Sequence, residues 1–129
     1  MPIVRIAALP QAEGVDVATA LATVATELAA LLGEPAHGTW ATWETIEPGR
    51  YAEGASAPAS QPRDTHPPLV RLLAFEGKPR EQVEAMLTCV ADVLARELRL
   101  EPGNVFVVYE EAGAGRLYTG GAVIGAPRA

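Results

Sequence analysis

Pro2-Ile3-Val4-Arg5-Ile6-Ala7-Ala8 returns as Pro68-Leu69-Val70-Arg71-Leu72-Leu73-Ala74, 66 residues later (68 − 2). The shift holds without a gap. Residues 2–54 laid on 68–120 give fifteen identities in 53 positions, at residues 2, 4, 5, 8, 17, 21, 24, 25, 28, 29, 32, 44, 49, 50 and 54 of the first copy. Several are common core types, but Arg5/Arg71, Glu44/Glu110, Arg50/Arg116, Gly49/Gly115 and Gly54/Gly120 fall on the same frame. Self-similarity at a fixed period marks repeated supersecondary units. The chain reads as two copies of a unit of fifty-odd residues, unit one at 2–54 and unit two at 68–120, joined by a linker at 55–67.

Within each copy the hydrophobic period changes twice. Residues 2–9 are almost continuously apolar, as in a strand covered on both faces, with Arg5 interrupting. From Asp16 the apolar positions Val17, Leu21, Val24, Leu28 and Leu31/Leu32 follow one helix face, which Gly33 and Pro35 end. Thr39–Ile46, rich in β-branched and aromatic types, reads as a second strand, followed by a turn at Glu47-Pro48-Gly49-Arg50 and a short arm from Tyr51. Unit two repeats the plan: a strand at 68–76, a helix carrying Val83, Leu87, Val90, Leu94 and Leu98, a break at Pro102-Gly103, a strand at 105–109 and an arm at 115–121. The linker holds three prolines and no bulky apolar residue between 55 and 67, the composition of a semi-extended surface segment.

Two strand–helix–strand units predict an α/β (α+β) fold: a four-stranded sheet, right-handed crossovers, both helices on one face and pseudo-twofold symmetry. At 129 residues the chain suits one compact domain. The face away from the helices is expected to carry Ala7, Leu9, Leu73 and Phe75, and covering it calls for a symmetric oligomer.

The net charge of −6 leaves no footprint for a nucleic-acid backbone and no basic helix for an anionic membrane. No apolar run reaches the eighteen or so residues of a membrane span, and the N-terminus lacks a secretory pattern, so a soluble, cytoplasmic protein is expected. Cys89 is the single cysteine and sits in a helical stripe beside Val90 and Val93, the setting of a structural thiol. With one cysteine, and with His37 and His66 in turn-like segments, no metal site is expected.

Pro68 opening the second strand, Phe75-Glu76-Gly77-Lys78 at the strand-to-helix turn and Gly120-Gly121 in the terminal arm make unit two similar to 4-oxalocrotonate tautomerase. The run Arg96-Glu97-Leu98-Arg99-Leu100 through Val105-Phe106-Val107 resembles macrophage migration inhibitory factor. The chain thus resembles the tautomerase superfamily over nearly all of its length outside the linker. That resemblance implies a homotrimer of two-unit subunits, a pocket around each amino-terminal proline near a subunit boundary, a small carboxylate substrate and no cofactor.

The chemistry expected of Pro2 follows. Removal of the preceding methionine leaves a secondary amine held rigid by its ring. Burial and nearby cations both disfavour its charged form, so it can take a proton from one atom and return it to another. Pro68 is internal and its nitrogen is an amide, which leaves one such amine per chain.

A substrate carboxylate and a developing enolate need a cation. Lys78 stands where the family usually places an arginine, keeping the charge without the bidentate fork. Arg116, in the arm, is the second candidate. Phe106 stands where 4-oxalocrotonate tautomerase has a second arginine, and implies a more apolar pocket. Trp40 is its repeat counterpart and is also aromatic. Arg5 and Arg71 beside Glu44 and Glu110 read as structural or interface salt bridges.

The expectation is a proline-dependent keto–enol tautomerase acting on a small 2-oxo or enol carboxylic acid, aryl-bearing given Phe106. Its rivals are a decarboxylase or hydratase of the same superfamily, and a non-catalytic oligomeric binding protein that keeps the fold.

Overall fold

A computed structural model describes residues 2–125. The strands are β1 (Ile3–Ala8), β2 (Trp40–Thr45), β3 (Leu69–Phe75) and β4 (Phe106–Ala112), and the helices are α1 (Val17–Leu32) and α2 (Arg80–Glu97). The four strands form one sheet in the order β2-β1-β3-β4. Each unit pairs its own strands in parallel, Ile3 against Trp40 and Leu69 against Phe106, and the units meet antiparallel with Arg5 directly opposite Arg71. Strand β4 runs three residues beyond the expected 105–109, through Glu110, Glu111 and Ala112, because β3 pairs with it as far as Phe75.

One face of the sheet is dry. Val4, Ile6 and Ala8 of β1 and Val70, Leu72 and Ala74 of β3 pack with Val24 and Leu28 of α1 and Val90 and Leu94 of α2 in a single core. The other face is open, with Trp40, Leu69, Phe106 and Val108 each 40 % exposed or more. Arg71 makes a two-pronged pair with Glu110 there, at 2.9 and 2.8 Å. The repeat-equivalent Arg5 and Glu44 form no such pair among the described residues. Leu9, expected on this open face, lies past the end of β1 and is fully buried.

The repeat extends to single hydrogen bonds. Trp40 N–H donates to the Pro2 carbonyl at 3.1 Å and Phe106 N–H to that of Pro68 at 3.0 Å. Helix α1 ends on Gly33 with φ 66°, and Glu34 N–H bonds the Ala29 carbonyl at 2.9 Å. In unit two the same turn closes with Leu100 N–H on the Ala95 carbonyl at 2.8 Å, although a non-glycine, Arg99, takes the left-handed position at φ 59°. The arms match as well. Gly115 N–H bonds the Ile124 carbonyl at 2.7 Å and Gly49 N–H that of Pro58 at 3.4 Å; Thr119 pairs with Ala122 as Glu53 does with Ser56. In the second arm Gly120 and Gly121 both have positive φ, the backbone that a tight two-residue hairpin turn requires. No helix among the described residues is long and apolar enough to cross a membrane.

Candidate active site

Because β1 and β3 run antiparallel, the start of β1 lies beside the end of β3, so Pro2 of unit one meets the strand-to-helix turn of unit two. Pro2 is buried. Around this end of the sheet opens a cavity of about 990 Å³. Its walls come from three places. Phe75, Glu76, Gly77 and Lys78 form the β3–α2 turn; Glu34, Pro35, His37 and Gly38 lead from α1 into Trp40 of β2; and Leu117, Thr119, Ala122 and Ile124 belong to the arm hairpin. The volume is at the upper end of the roughly 300–1,000 Å³ usual for small-molecule sites.

Glu76 ties wall to arm. Its carboxylate accepts the Ala114 N–H at 2.5 Å, and a Cβ at Gly113 would come within 3.1 Å of the same oxygen, so glycine permits the approach. Lys78 is half-buried in the wall with Phe75 and Trp40. Lys78 shares the cavity with the carboxylates of Glu34 and Glu76 as well as with aromatic and apolar groups.

Of the four residues singled out in the sequence, the fold brings Pro2 and Lys78 to the same end of the sheet. Arg116 is exposed at the base of the hairpin, its N–H bonded to the Gly113 carbonyl at 3.0 Å, and the next residue, Leu117, is the one in the cavity wall. Phe106 lies beside Pro68 at the opposite end of the sheet and lines a separate hollow of about 410 Å³ on the open face, together with Arg5, Leu69 and Val108. The aromatic wall next to Pro2 within the chain is Trp40, 48 % exposed. The signal for it was the register: counterparts in the two copies take the same place relative to their own proline, which puts Trp40 with Pro2 and Phe106 with Pro68. Met1 lies outside the described residues.

Around Pro68 the matching groove is filled by the linker. Gln61 N–H bonds the Pro10 carbonyl at 2.8 Å, and Gln11 Nε2 reaches Gln61 Oε1 at 3.3 Å. Across the groove Glu101 N–H bonds the Arg63 carbonyl at 3.0 Å, and Asn104 Nδ2 donates to the carbonyls of Arg63 and Thr65 at 3.0 and 2.9 Å. Near its end the linker carries His66, only 2 % exposed, whose Nε2 lies 2.8 Å from the Ser56 carbonyl and whose ring meets Tyr51 edge-on at 5.1 Å. A segment that composition marks as surface is therefore held down largely by its own backbone carbonyls; Leu9 is fully buried, whereas its counterpart Phe75 is left partly open to the cavity.

Cys89 is half-buried, and burial first, then the carboxylates of Glu27 and Asp92, push its thiol up; it is not an activated nucleophile.

No protein-family model and no curated protein matches the chain. Solved structures do. A fused 4-OT, an asymmetric trimer, is 15 % identical, with 95 % of each chain covered and a TM-score of 0.78. A protein inactivated by 2-oxo-3-pentynoate is 13 % identical, with 95 % of this chain and 94 % of that one covered and a TM-score of 0.81. N1, a member of the cis-3-chloroacrylic acid dehalogenase family, is 16 % identical, with 95 % and 82 % covered and a TM-score of 0.75. The chain has the tautomerase-superfamily fold, with two units fused in one polypeptide.

Proposed function

We propose that this chain, built on the tautomerase fold, is a cofactor-independent keto–enol tautomerase that uses the amine of Pro2, freed by removal of Met1, on a 2-oxo or enol carboxylic acid. One observation carries the reading. The end of the sheet at Pro2 has an open cavity lined by a lysine and a tryptophan, whereas at the Pro68 end the linker is bonded across the matching groove. Enzymes among the structural neighbours support a catalytic role.

In this scheme Lys78 holds the carboxylate, and Trp40 and Phe75 flank the body of the substrate. The neutral amine takes the hydroxyl proton of the enol. The O–H electron pair becomes the carbonyl π bond, and the electron pair of the C=C bond takes the proton back from the ammonium at the adjacent carbon. Atoms and charge balance, and the base is regenerated. Burial favours the uncharged amine. Arg116 and Phe106 enter from neighbouring copies in a homotrimer, for which the exposed apolar sheet face and the trimeric fused 4-OT structures are the support. A reducing cytoplasm suits its lone thiol.

The test pairs the intact mass of the native protein with ketonisation of phenylenolpyruvate by wild type and Pro2→Ala, and with the mass in solution by sedimentation. Loss of the methionine together with activity that collapses in the variant supports the amine mechanism. A retained methionine, or a rate indifferent to Pro2, removes it.

A further inference from the structure

The two grooves are built from equivalent backbone, so comparing them position by position isolates what keeps one open. At the groove beside Pro68 the linker is held by Gln11, by the Glu101 N–H and by Asn104. The counterparts at the groove beside Pro2 are Gly77, Pro35 and Gly38. None has a side-chain donor, and proline has no N–H. The two side-chain donors and the N–H that fix the linker across the second groove are thus missing from the first, where only the acceptor of the Gln61 N–H, the Pro10 carbonyl, keeps a counterpart in Glu76; and a cation is added, since Lys78 replaces Ala12.

Position 38 is the most informative of these. Asn104 alone contacts two successive stretches of the occupant, and at Gly38 a Cβ would meet nothing within 4 Å, with no positive φ to demand glycine. Glycine is not needed there for the fold. It leaves the cavity empty between the turn at Ala36–Gly38 and Lys78.

Resting on the activity proposed above, we infer that Gly38 determines substrate size. It keeps free the end of the cavity that receives the body of an acid with an aryl or similarly long apolar tail, and Asn104 is its counterpart that keeps the second groove shut on the linker. In this assignment a pyruvate-sized acid, held at Lys78, leaves position 38 untouched. The bearing of residue 38 is therefore on long substrates.

Exchange of the C3 protons of phenylpyruvate and of pyruvate in D₂O, followed by NMR, reads this in wild type, Gly38→Ala and Gly38→Asn. The expected result for Gly38→Asn is a KM for phenylpyruvate raised about ten-fold with kcat within about two-fold and pyruvate exchange unchanged, and for Gly38→Ala a smaller rise of the same kind. Equal effects on both acids, or none, overturn the assignment. If wild type shows no Pro2-dependent exchange, the proposed activity fails by itself, and the Kd of phenylpyruvate from NMR titration then decides. A rise of about ten-fold in Gly38→Asn keeps the size role, and an unchanged Kd, or no binding by wild type, ends it. The counterpart needs no ligand: Asn104→Ala is expected to speed tryptic cleavage after Arg63 about ten-fold at unchanged global stability, and an unchanged rate overturns the clamp.

Discussion

Trp40 hangs from Pro2: its backbone N–H donates to the Pro2 carbonyl at 3.1 Å, and the indole that this bond positions forms a wall of the cavity with Lys78. The indole Nε1–H is taken by the His37 carbonyl at 3.3 Å, which leaves the ring face as the surface offered to a ligand. Replacing Trp40 by Ala is expected to raise KM for phenylenolpyruvate about ten-fold, the order of one lost aromatic contact, while Trp40→Phe keeps most of the affinity. Steady-state kinetics of the two variants checks it. Equal loss in both would make the indole a structural prop.

Lys78 is the cation of that wall, half-buried beside Phe75. Lys78→Ala is expected to lower kcat/KM about a hundred-fold, as removal of one preorganised donor to a developing oxyanion does, and Lys78→Arg to restore most of it. The ketonisation assay measures both. An alanine variant with unaltered kcat/KM would move the carboxylate site elsewhere.

The fold was legible because the two copies repeat at a constant shift, and strand and helix periods agree within each. Pro2 and Lys78 stand out in the sequence as residue types in a motif, and the fold brings both to one end of the sheet. The cavity wall was not legible, since Trp40 and Phe106 look alike in sequence and only the antiparallel meeting of the units assigns each to its own proline. The linker's place at the surface was legible, most of its residues being exposed, but what fastens it was not. Its prolines and small residues signal solvent, but what holds it is its carbonyl groups, to which Asn104 and Gln61 Nε2 donate. Backbone acceptors leave no trace in composition.

The Arg71–Glu110 pair gives a pH dependence whose sign is fixed. A hydrogen bond from Arg71 is the largest cause holding the Glu110 carboxyl below its ordinary value. A lowered folded-state pKa means stability present above the unfolded carboxylate value and lost as pH falls through the folded one. Both side chains are exposed, so the contribution is small. Thermal midpoints of wild type and Glu110→Gln are expected to differ at neutral pH, wild type being higher, and to converge as the carboxyl protonates. A gap that widens toward acid contradicts the assignment.

Thr39 immediately precedes the Trp40–Ile3 pairing, which sets it across from Pro2, and it is 5 % exposed, its hydroxyl without a partner among the described residues. In unit two the same position is Val105, of nearly the same shape without the hydroxyl. A buried hydroxyl with no acceptor or donor carries its desolvation cost uncompensated, and an isosteric apolar replacement recovers it. Thr39→Val is expected to stabilise the protein by about 1 kcal/mol, read as a higher urea midpoint at constant slope. Thr39→Ala should gain nothing, because the relief of the hydroxyl is offset by the methyl lost from a packed site. If valine lowers the midpoint instead, the hydroxyl has a partner in solution, and the group facing Pro2 becomes the first place to look for it.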